Sequence, residues 1–485
     1  MAETSLLWYD YETFGTHPRR DWPAQFAAVR TDAELNEIDD PLVLYCQPPN
    51  DRLPAPEACL ITGITPQECV AKGVAEHVFA ERINAAFSQP GTIGAGYNSI
   101  RFDDEVTRFL LWRNLIEPYA REWRDGCSRW DLLDVVRCAH ALRPEGIAWP
   151  QGDNGQPTFR LERLTAANGL EHESAHDALS DVRATIALAR LIRQKNPKLF
   201  AFCLALRKKD RVAEELGLPT TLRDARPFLH VSGRFSAERG CLAVMAPLAM
   251  HPGNKNELLA WDLSADPSVL TTLDAVGARE RLFTATGDLP EGVQRLALKS
   301  VHLNKSPIVI RNLKTLRPDL AARWGVDLGA AAVNLEKLRA LPDLSALWSQ
   351  VFARPAPAEP VDVDEDLYGG FLNDDDRRRL ERLRALNPAE LALAKPGFDD
   401  ERLATLLFRY RARNFPDSLN DAERVQWEAH RSARLLQGEG GAVTIPAFFD
   451  RIDALADNAG DDAHQQDVLS ALYDWAEQLA PESSQ

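Results

Sequence analysis

The sequence predicts an α/β protein of several domains, and three observations carry that reading. Up to about residue 195, apolar runs of strand length alternate with stretches of helical spacing. From about 196 to 353, short apolar runs separated by Gly, Pro and Asn suggest a small antiparallel barrel. From about 367 to 485, leucine and alanine recur at the helical period almost throughout. A length of 485 residues fits about three domains at roughly 150 residues each. There are no internal repeats.

In the first segment, Leu6–Asp10 reads as a central strand, ended by Gly15, His17 and Pro18. Phe26–Arg30, Leu42–Tyr45 and Thr92–Asn98 read as further strands, with Asn98 closing the last. Phe79–Phe87, Glu105–Leu115 and Asp177–Arg193 have helical spacing. The second segment opens with a charged helix over Arg207–Glu215. Strands follow at Phe228–Ser232, Cys241–Met245, Leu258–Leu263 and within Leu296–Ile310, and the segment turns helical from Ala330 to Phe352. Prolines between Arg354 and Pro360, followed by acids to Asp366, make 354–366 an exposed linker. Beyond it, Asp376–Leu393, Asp400–Tyr410 and Ala422–Leu436 read as helices.

The net charge of −16 argues against a general nucleic-acid coat protein. It leaves room for a nucleic-acid enzyme, because local basic strips do the binding and metal-holding carboxylates add negative charge. Composition alone points to a metabolic enzyme, but no glycine-rich dinucleotide or phosphate loop stands where a strand meets a helix. The seven cysteines (46, 59, 69, 127, 138, 203 and 241) form no C-x-x-C pair, so each is expected to be a small core residue of a reduced protein. The N-terminus lacks a basic stretch followed by an apolar one, and no apolar run reaches membrane-spanning length. A soluble, cytoplasmic protein is expected.

The chemistry is concentrated in five residues. Asp10 and Glu12 lie two apart in a strand, so both point to one face. Adjacent carboxylates repel unless a cation binds between them, and hard oxygen ligands favour Mg²⁺ or Mn²⁺. Taken alone, an Asp-x-Glu pair is more often solvated surface. Asp103 follows Phe102 where a helix opens and, alone, reads as an N-cap. His176 and Asp181 converge only if His176 lies in the loop before a helix and Asp181 one turn into it. His176 alone reads as a surface loop histidine. Together and in this order, four carboxylates and a histidine are what a two-metal exonuclease needs.

That constellation resembles the DEDD superfamily of 3′→5′ exonucleases, in the branch with a histidine before the last aspartate. The resemblance is closest to the bacterial exonuclease I family. Asp-Tyr-Glu-Thr-Phe-Gly-Thr-His-Pro from Asp10, Tyr-Asn-Ser-Ile-Arg-Phe-Asp-Asp-Glu-Val from Tyr97, His-Val-Ser-Gly from His230, Val-His-Leu-Asn-Lys from Val301 and Tyr-Arg-Ala-Arg-Asn-Phe-Pro from Tyr410 carry it across all three segments. It is weakest between Ala213 and Arg226 and after Arg434. It implies a ribonuclease-H-like exonuclease domain (1–195), a small Src-homology-type β-barrel domain (196–353), the linker, and a helical C-terminal domain (367–485). Barrel and helical domain would close a groove around single-stranded DNA.

The resemblance further implies 3′→5′ hydrolysis to 5′-mononucleotides, with a role in DNA repair and recombination. Two magnesium ions, replaceable by manganese, would be held by Asp10, Glu12, Asp103 and Asp181. His176 would be the general base, for which its ordinary pKa near 6.5 is suited. DNA contacts fall by similarity on Tyr11, Thr13, Phe14, Arg108, Tyr119, Trp123, Arg137, Arg160, Lys209, Asn256 and Lys299. Core packing is an equal alternative for Phe14 and Trp123, and a solvated surface position for any single arginine. The acidic C-terminal tail of single-stranded-DNA-binding protein would dock on Arg143, Arg226, Arg317 and Arg339, because such a tail needs arginines for its carboxylates. A monomer is expected. The rival readings are a relative acting on RNA or proofreading for a polymerase, and an inactive nuclease fold used as a clamp.

Overall fold

The structure is a computed structural model that describes residues 4–171, 177–353, 361–460 and 462–481. His176 lies outside the described residues. The chain divides into two compact units, one formed by residues 1–128, 173–183 and 357–485, the other by 129–172 and 184–356.

The first unit is built on a mixed sheet of β1 (Ser5–Thr13), β2 (Pro23–Thr31), β3 (Leu42–Tyr45) and β4 (Thr92–Gly96), in the order β3-β2-β1-β4. β5 (Ser128–Asp131), in which the first unit ends, is its fifth strand. β1 runs antiparallel to β2 and parallel to β4, with Leu6 opposite Thr31 and Ile93. β1 and β2 extend past the apolar runs that announce them, because ladder hydrogen bonds continue through polar residues the sheet buries. On one face of β1, Leu7, Tyr9 and Tyr11 pack with Phe26, Phe79, Phe87 and Leu110. The Tyr9 and Phe87 rings meet edge to face at 4.8 Å, a favoured aromatic geometry. Alternation sends Asp10 and Glu12 to the other face.

At Gly15 in the β1–β2 turn, a Cβ would lie 2.1 Å from the Asp21 carboxylate, which would have to move. The helix Asp103–Arg113 packs on the aromatic face through Val106, Leu110 and Leu111. The helix Ala178–Lys195 begins in this unit.

The last third of the chain is helical, as its periodicity predicts. The principal helices are Asp374–Arg384, Arg402–Asn414, Asp421–Gln437, Ile445–Ala459 and Ala463–Leu479. Asn373, Asn420, Thr444 and Asp462 cap four of them by accepting a backbone N–H. Leu380, Leu403, Leu406 and Tyr410 pack on Phe109 and Trp112, while Phe448, Ile452 and Leu472 pack on Phe14 and Trp22.

The described part of the expected linker departs from the prediction. Its acids are not freely solvated: Asp364 is wholly buried and the Asp362 side chain is 16% exposed. Asp364 accepts from Arg409 at 2.9 Å and Arg413 at 2.7 Å, and Asp362 accepts from Arg409 at 2.6 Å. Arg413 also donates to buried Asp51 at 2.8 Å, beside His430 at 3.3 Å. Their arginines hold Asp51 and Asp364 well below the usual carboxylate range despite burial. An acidic run looks solvated only while its partners, some 45 to 49 residues away, are unknown.

The second unit contains a five-stranded antiparallel sheet curled into a half-barrel. Its strands are β6 (Phe228–Val231), β7 (Leu242–Met250), β8 (Glu257–Asp262), β9 (Leu298–His302) and β10 (Ile308–Ile310), in the order β10-β6-β7-β8-β9. The single run expected over Leu296–Ile310 is two strands, broken at Asn304-Lys305-Ser306, where Ser306 takes a left-handed φ of 46°. Helices Leu132–Leu142 and Ala275–Phe283 are also present. All seven cysteines are free and buried, as expected. Among the described residues no helix is long and apolar enough to cross a membrane.

Removing one member of the buried ion network strands its partners without water. Asp364→Ala is expected to lower unfolding free energy by about 3–5 kcal/mol, read from the urea midpoint. A loss near zero would mean the network is solvated.

Candidate active site

Three carboxylates converge where β1 meets the start of the Ala178–Lys195 helix. Oxygens of Asp10, Glu12 and Asp181 all lie within 4.8 Å of one another. β1 presents the first two by alternation, and Asp181 lies in the first turn of its helix. Asp181 thus lies in the first turn of its helix, as its convergence with His176 requires, and His176 itself lies outside the described residues. An all-oxygen, anionic donor set of this size suits a hard divalent cation.

Asp103 is the first residue of its helix and is buried, but it is not a cap. Its Oδ1 accepts the Tyr11 backbone N–H at 3.2 Å, tying the helix to β1 between Asp10 and Glu12. The next residue has a different task. Asp104 Oδ1 accepts from Tyr9 Oη and from Arg121 Nη2, each at 2.7 Å, entirely within the core.

The cluster resists ionisation. Burial, then the charges of Asp103, Asp181 and Asp177, pushes the Asp10 carboxyl well above its usual range. Burial, then Asp10, Asp181 and Asp177, pushes Glu12 up to about 9. Such a site gains from a cation, which offsets both desolvation and repulsion.

Two supporting residues escape a sequence reading. Gln25 faces Glu12 across the β1–β2 ladder and is 2% exposed. Its Oε1 accepts the Ala178 N–H at 3.2 Å, and its Nε2 donates to Asp177 Oδ1 at 3.4 Å, anchoring the Asp181 helix to the sheet. Asp177 in turn accepts the Ser180 N–H at 3.1 Å. A lone glutamine in the apolar run after Pro23 is the available signal for Gln25.

Several expected DNA contacts are used internally. The Tyr11 ring is turned into the aromatic core, and its hydroxyl accepts from Thr107 at 3.1 Å. Phe14 packs with Trp22 and Ile452, so core packing is its role. Both rings are buried, because the alternation that turns Asp10 and Glu12 to the other face packs Tyr11 into the core, and the turn folds Phe14 inward. Arg108 is 7% exposed and paired with Glu105 and Glu122, each at 2.7 Å. Thr13 is buried and donates to the Gly15 carbonyl at 2.6 Å. Trp123 is 64% exposed, which decides against core packing. Tyr119 is half-buried beside Arg108 and Phe371.

In the second unit, Lys209 and Asn256 are brought together by a 2.6 Å hydrogen bond. Lys299 donates to Ser232 at 3.0 Å and lies over Phe235. Arg137 pairs with Asp134 at 2.6 Å, and Arg160 is exposed. The four arginines expected for a partner tail fall into two pairs. Arg143 donates to the Thr315 carbonyl at 3.0 Å, and Arg317 forms an ion pair with Glu145, whose carboxyl both arginines pull down. Arg226 and Arg339 line one open cavity with Arg223 and Arg311.

The mixed sheet and its acidic cluster are those of a divalent-metal enzyme. Residues 7–189 match the exonuclease model, 207–354 the exonuclease I SH3-like domain, and 361–479 the exonuclease I C-terminal domain. The chain is 45% identical to exodeoxyribonuclease I of Escherichia coli (strain K12), over 98% of each chain. It superposes with a TM-score of 0.92 on a moderately thermophilic exonuclease I from Methylocaldum szegediense, at 50% identity over 98% of this chain and 99% of that one. It also matches the zinc-bound E. coli exonuclease I–single-stranded DNA complex, with a TM-score of 0.91 and 44% identity over 98% of this chain and 99% of that one. The chain belongs to the exonuclease I family and is an exodeoxyribonuclease.

Glu12 supplies a stability test in the metal-free protein. Its folded pKa of about 9 exceeds its ordinary 4.5, so folding binds a proton that the unfolded chain releases. Stability therefore falls as pH rises from about 4.5 towards 9. In EDTA at pH 8.5, Glu12→Gln is expected to raise Tm by at least about 3 °C, with a smaller gain at pH 6. Equal gains at both pH values would count against the ionisation origin.

Proposed function

We propose that the chain degrades single-stranded DNA from its 3′ end, releasing 5′-mononucleotides. The observation that carries this reading is the convergence of Asp10, Glu12 and Asp181 in a chain whose relatives include one solved with single-stranded DNA. Two magnesium ions would be held by Asp10, Glu12 and Asp181, with Asp103 serving the second. When bound, they supply charge stabilisation for the phosphodiester being cleaved.

The chain's own residues do the remainder. His176 removes the proton from the attacking water, and the acidic cluster fixes where the scissile phosphate can rest. Asp103, through its bond to the Tyr11 N–H, keeps β1 and the Asp103–Arg113 helix in step. Gln25 does the same for the helix bearing Asp181. Exposed Trp123 and half-buried Tyr119 offer faces on which bases stack, and Arg137, Arg160, Lys209, Asn256 and Lys299 contact the phosphate backbone. Arg143 with Arg317, and Arg226 with Arg339, are two places where an acidic C-terminal tail of single-stranded-DNA-binding protein can be gripped. The enzyme acts as a cytoplasmic monomer in DNA repair.

The test uses 5′-labelled oligonucleotides, single-stranded and blunt duplex, with Mg²⁺ or EDTA. The expected result is a magnesium-dependent ladder shortening from the 3′ end on single strands. His176→Ala is expected to slow it by roughly 10²-fold or more, and Asp181→Asn to abolish it. Full-length label in every lane, with DNA still bound, would leave a clamp instead of an enzyme. Faster loss of RNA than of DNA would move the substrate class.

A further inference from the structure

In the second unit, the helix Leu132–Leu142 carries a buried histidine with no part in the acidic site. His140 is 1% exposed. Its ring sits in a box of three aromatic rings, with centroids 4.9 Å from Trp149, 5.1 Å from Trp324 and 5.3 Å from Phe159. Its Nδ1 has no hydrogen-bond partner, although buried polar atoms normally find one. Among the described residues no carboxylate comes within ion-pair reach of the ring. Asp134 of the same helix is paired with Arg137, Glu145 with Arg317, and Asp153 with Arg163. The charges that flank the box are cations. Arg323 lies over Trp324 at 4.5 Å and Arg137 over Phe159 at 5.8 Å, while Arg143 is spent on the Thr315 carbonyl. Burial, then the charge of Arg323, holds the imidazole down to about 4, so the ring is neutral at neutral pH.

Two rings of the box belong to the segment 144–160, which has little else to hold it. Of these residues Ile147 alone is buried. Several of the segment's hydrogen bonds are internal: Trp149 Nε1 donates to the Pro144 carbonyl at 2.8 Å, the Gly152 N–H to Gln156 at 2.7 Å and the Thr158 N–H to Pro150 at 3.0 Å. The third ring is fixed independently, Trp324 Nε1 donating to the Ala141 carbonyl at 2.9 Å. A segment with so few buried apolar contacts opens locally at low cost. Its far end bears on two arginines. Phe159 covers the Arg137 guanidinium, which also lies against Gly233, where a Cβ would fall 2.6 Å from Cζ. Arg160 follows Phe159 directly and is exposed.

We propose that His140 is a positioning residue that makes the grip of Arg137 and Arg160 on single-stranded DNA sensitive to acid. A proton on its ring finds no acceptor in the box, and two of the surrounding rings already carry guanidinium groups. Opening the segment relieves that charge. It withdraws Phe159 from Arg137 and frees Arg160 from its place. The opened segment returns His140 to its ordinary 6.5, against about 4 in the box. Opening therefore takes up a proton and is favoured progressively as pH falls from 6.5 towards 4. Between pH 7.5 and 5.5 the opening equilibrium shifts by roughly tenfold.

The test compares wild type with His140→Phe, which keeps a ring in the box but takes up no proton, as full chains in EDTA at fixed ionic strength. His140→Tyr replaces it if the first variant misfolds. Hydrogen exchange over 146–159, corrected for its intrinsic pH dependence, is expected to rise roughly tenfold from pH 7.5 to 5.5 in wild type and to stay flat in the variant. Over the same interval, binding of a 5′-fluorescein-labelled oligothymidylate is expected to weaken at least roughly threefold more in wild type than in the variant. The proposal rests on the DNA reading of Arg137 and Arg160, and Arg137→Ala binding the oligonucleotide as tightly as wild type would overturn that reading. An equal acid response of exchange or of binding in wild type and the folded variant, with Arg137→Ala weakened, would overturn this proposal alone.

Discussion

The register of β1 is the constraint on which the site depends. One strand carries two incompatible faces, an aromatic one of Tyr9 and Tyr11 and an acidic one of Asp10 and Glu12. A slip of one residue would exchange them, placing carboxylates among Phe26 and Phe87 and phenol rings at the cation site. The register is held by more than the ladder. Tyr9 reaches Asp104 and the Tyr11 N–H reaches Asp103, so one helix start fixes β1 from both a side chain and the backbone. Adjacent aspartates thus divide the work. One is locked in the core by Arg121, and the other faces β1 beside the acidic cluster.

That division explains what could be read beforehand. β1 and the helical last third are legible because local pattern and tertiary burial agree: alternation for the one, a 3.6-residue period for the other. The pairing of Asp10 with Glu12 is legible for the same reason. Asp181 is legible only in combination, since its approach to β1 needs a helix start in a particular place. Gln25 is not legible, because its partners on the Asp181 helix are about 150 residues away. The strand break at Ser306 is hidden because it depends on a left-handed backbone in a residue that does not advertise one.

Charge is where sequence reading serves least. In a chain of net charge −16, arginines invite assignment to phosphate. Arg108, Arg113, Arg121, Arg409 and Arg413 are instead buried beside carboxylates of the same unit. The acids of 362–365 are their counterpart. A guanidinium offers five donors in a fixed fork, which suits it to bridging several carboxylates within a core as well as to gripping a phosphate. Which use prevails is decided by tertiary proximity, and composition does not record it.

The first unit is assembled from three separate stretches of chain, with the second unit inserted between them. Asp51 is buried from solvent, yet its partners Arg413 and His430 are 362 and 379 residues further on. On a ribosome adding 5–20 residues per second, that interval is roughly 20 to 75 s. Throughout it the nascent chain carries a carboxylate without its cations, so the residues of the acidic cluster, complete by Asp181, are made long before the unit that houses them can close. Birth order and folding order are therefore decoupled: the chemistry is written first and sealed last.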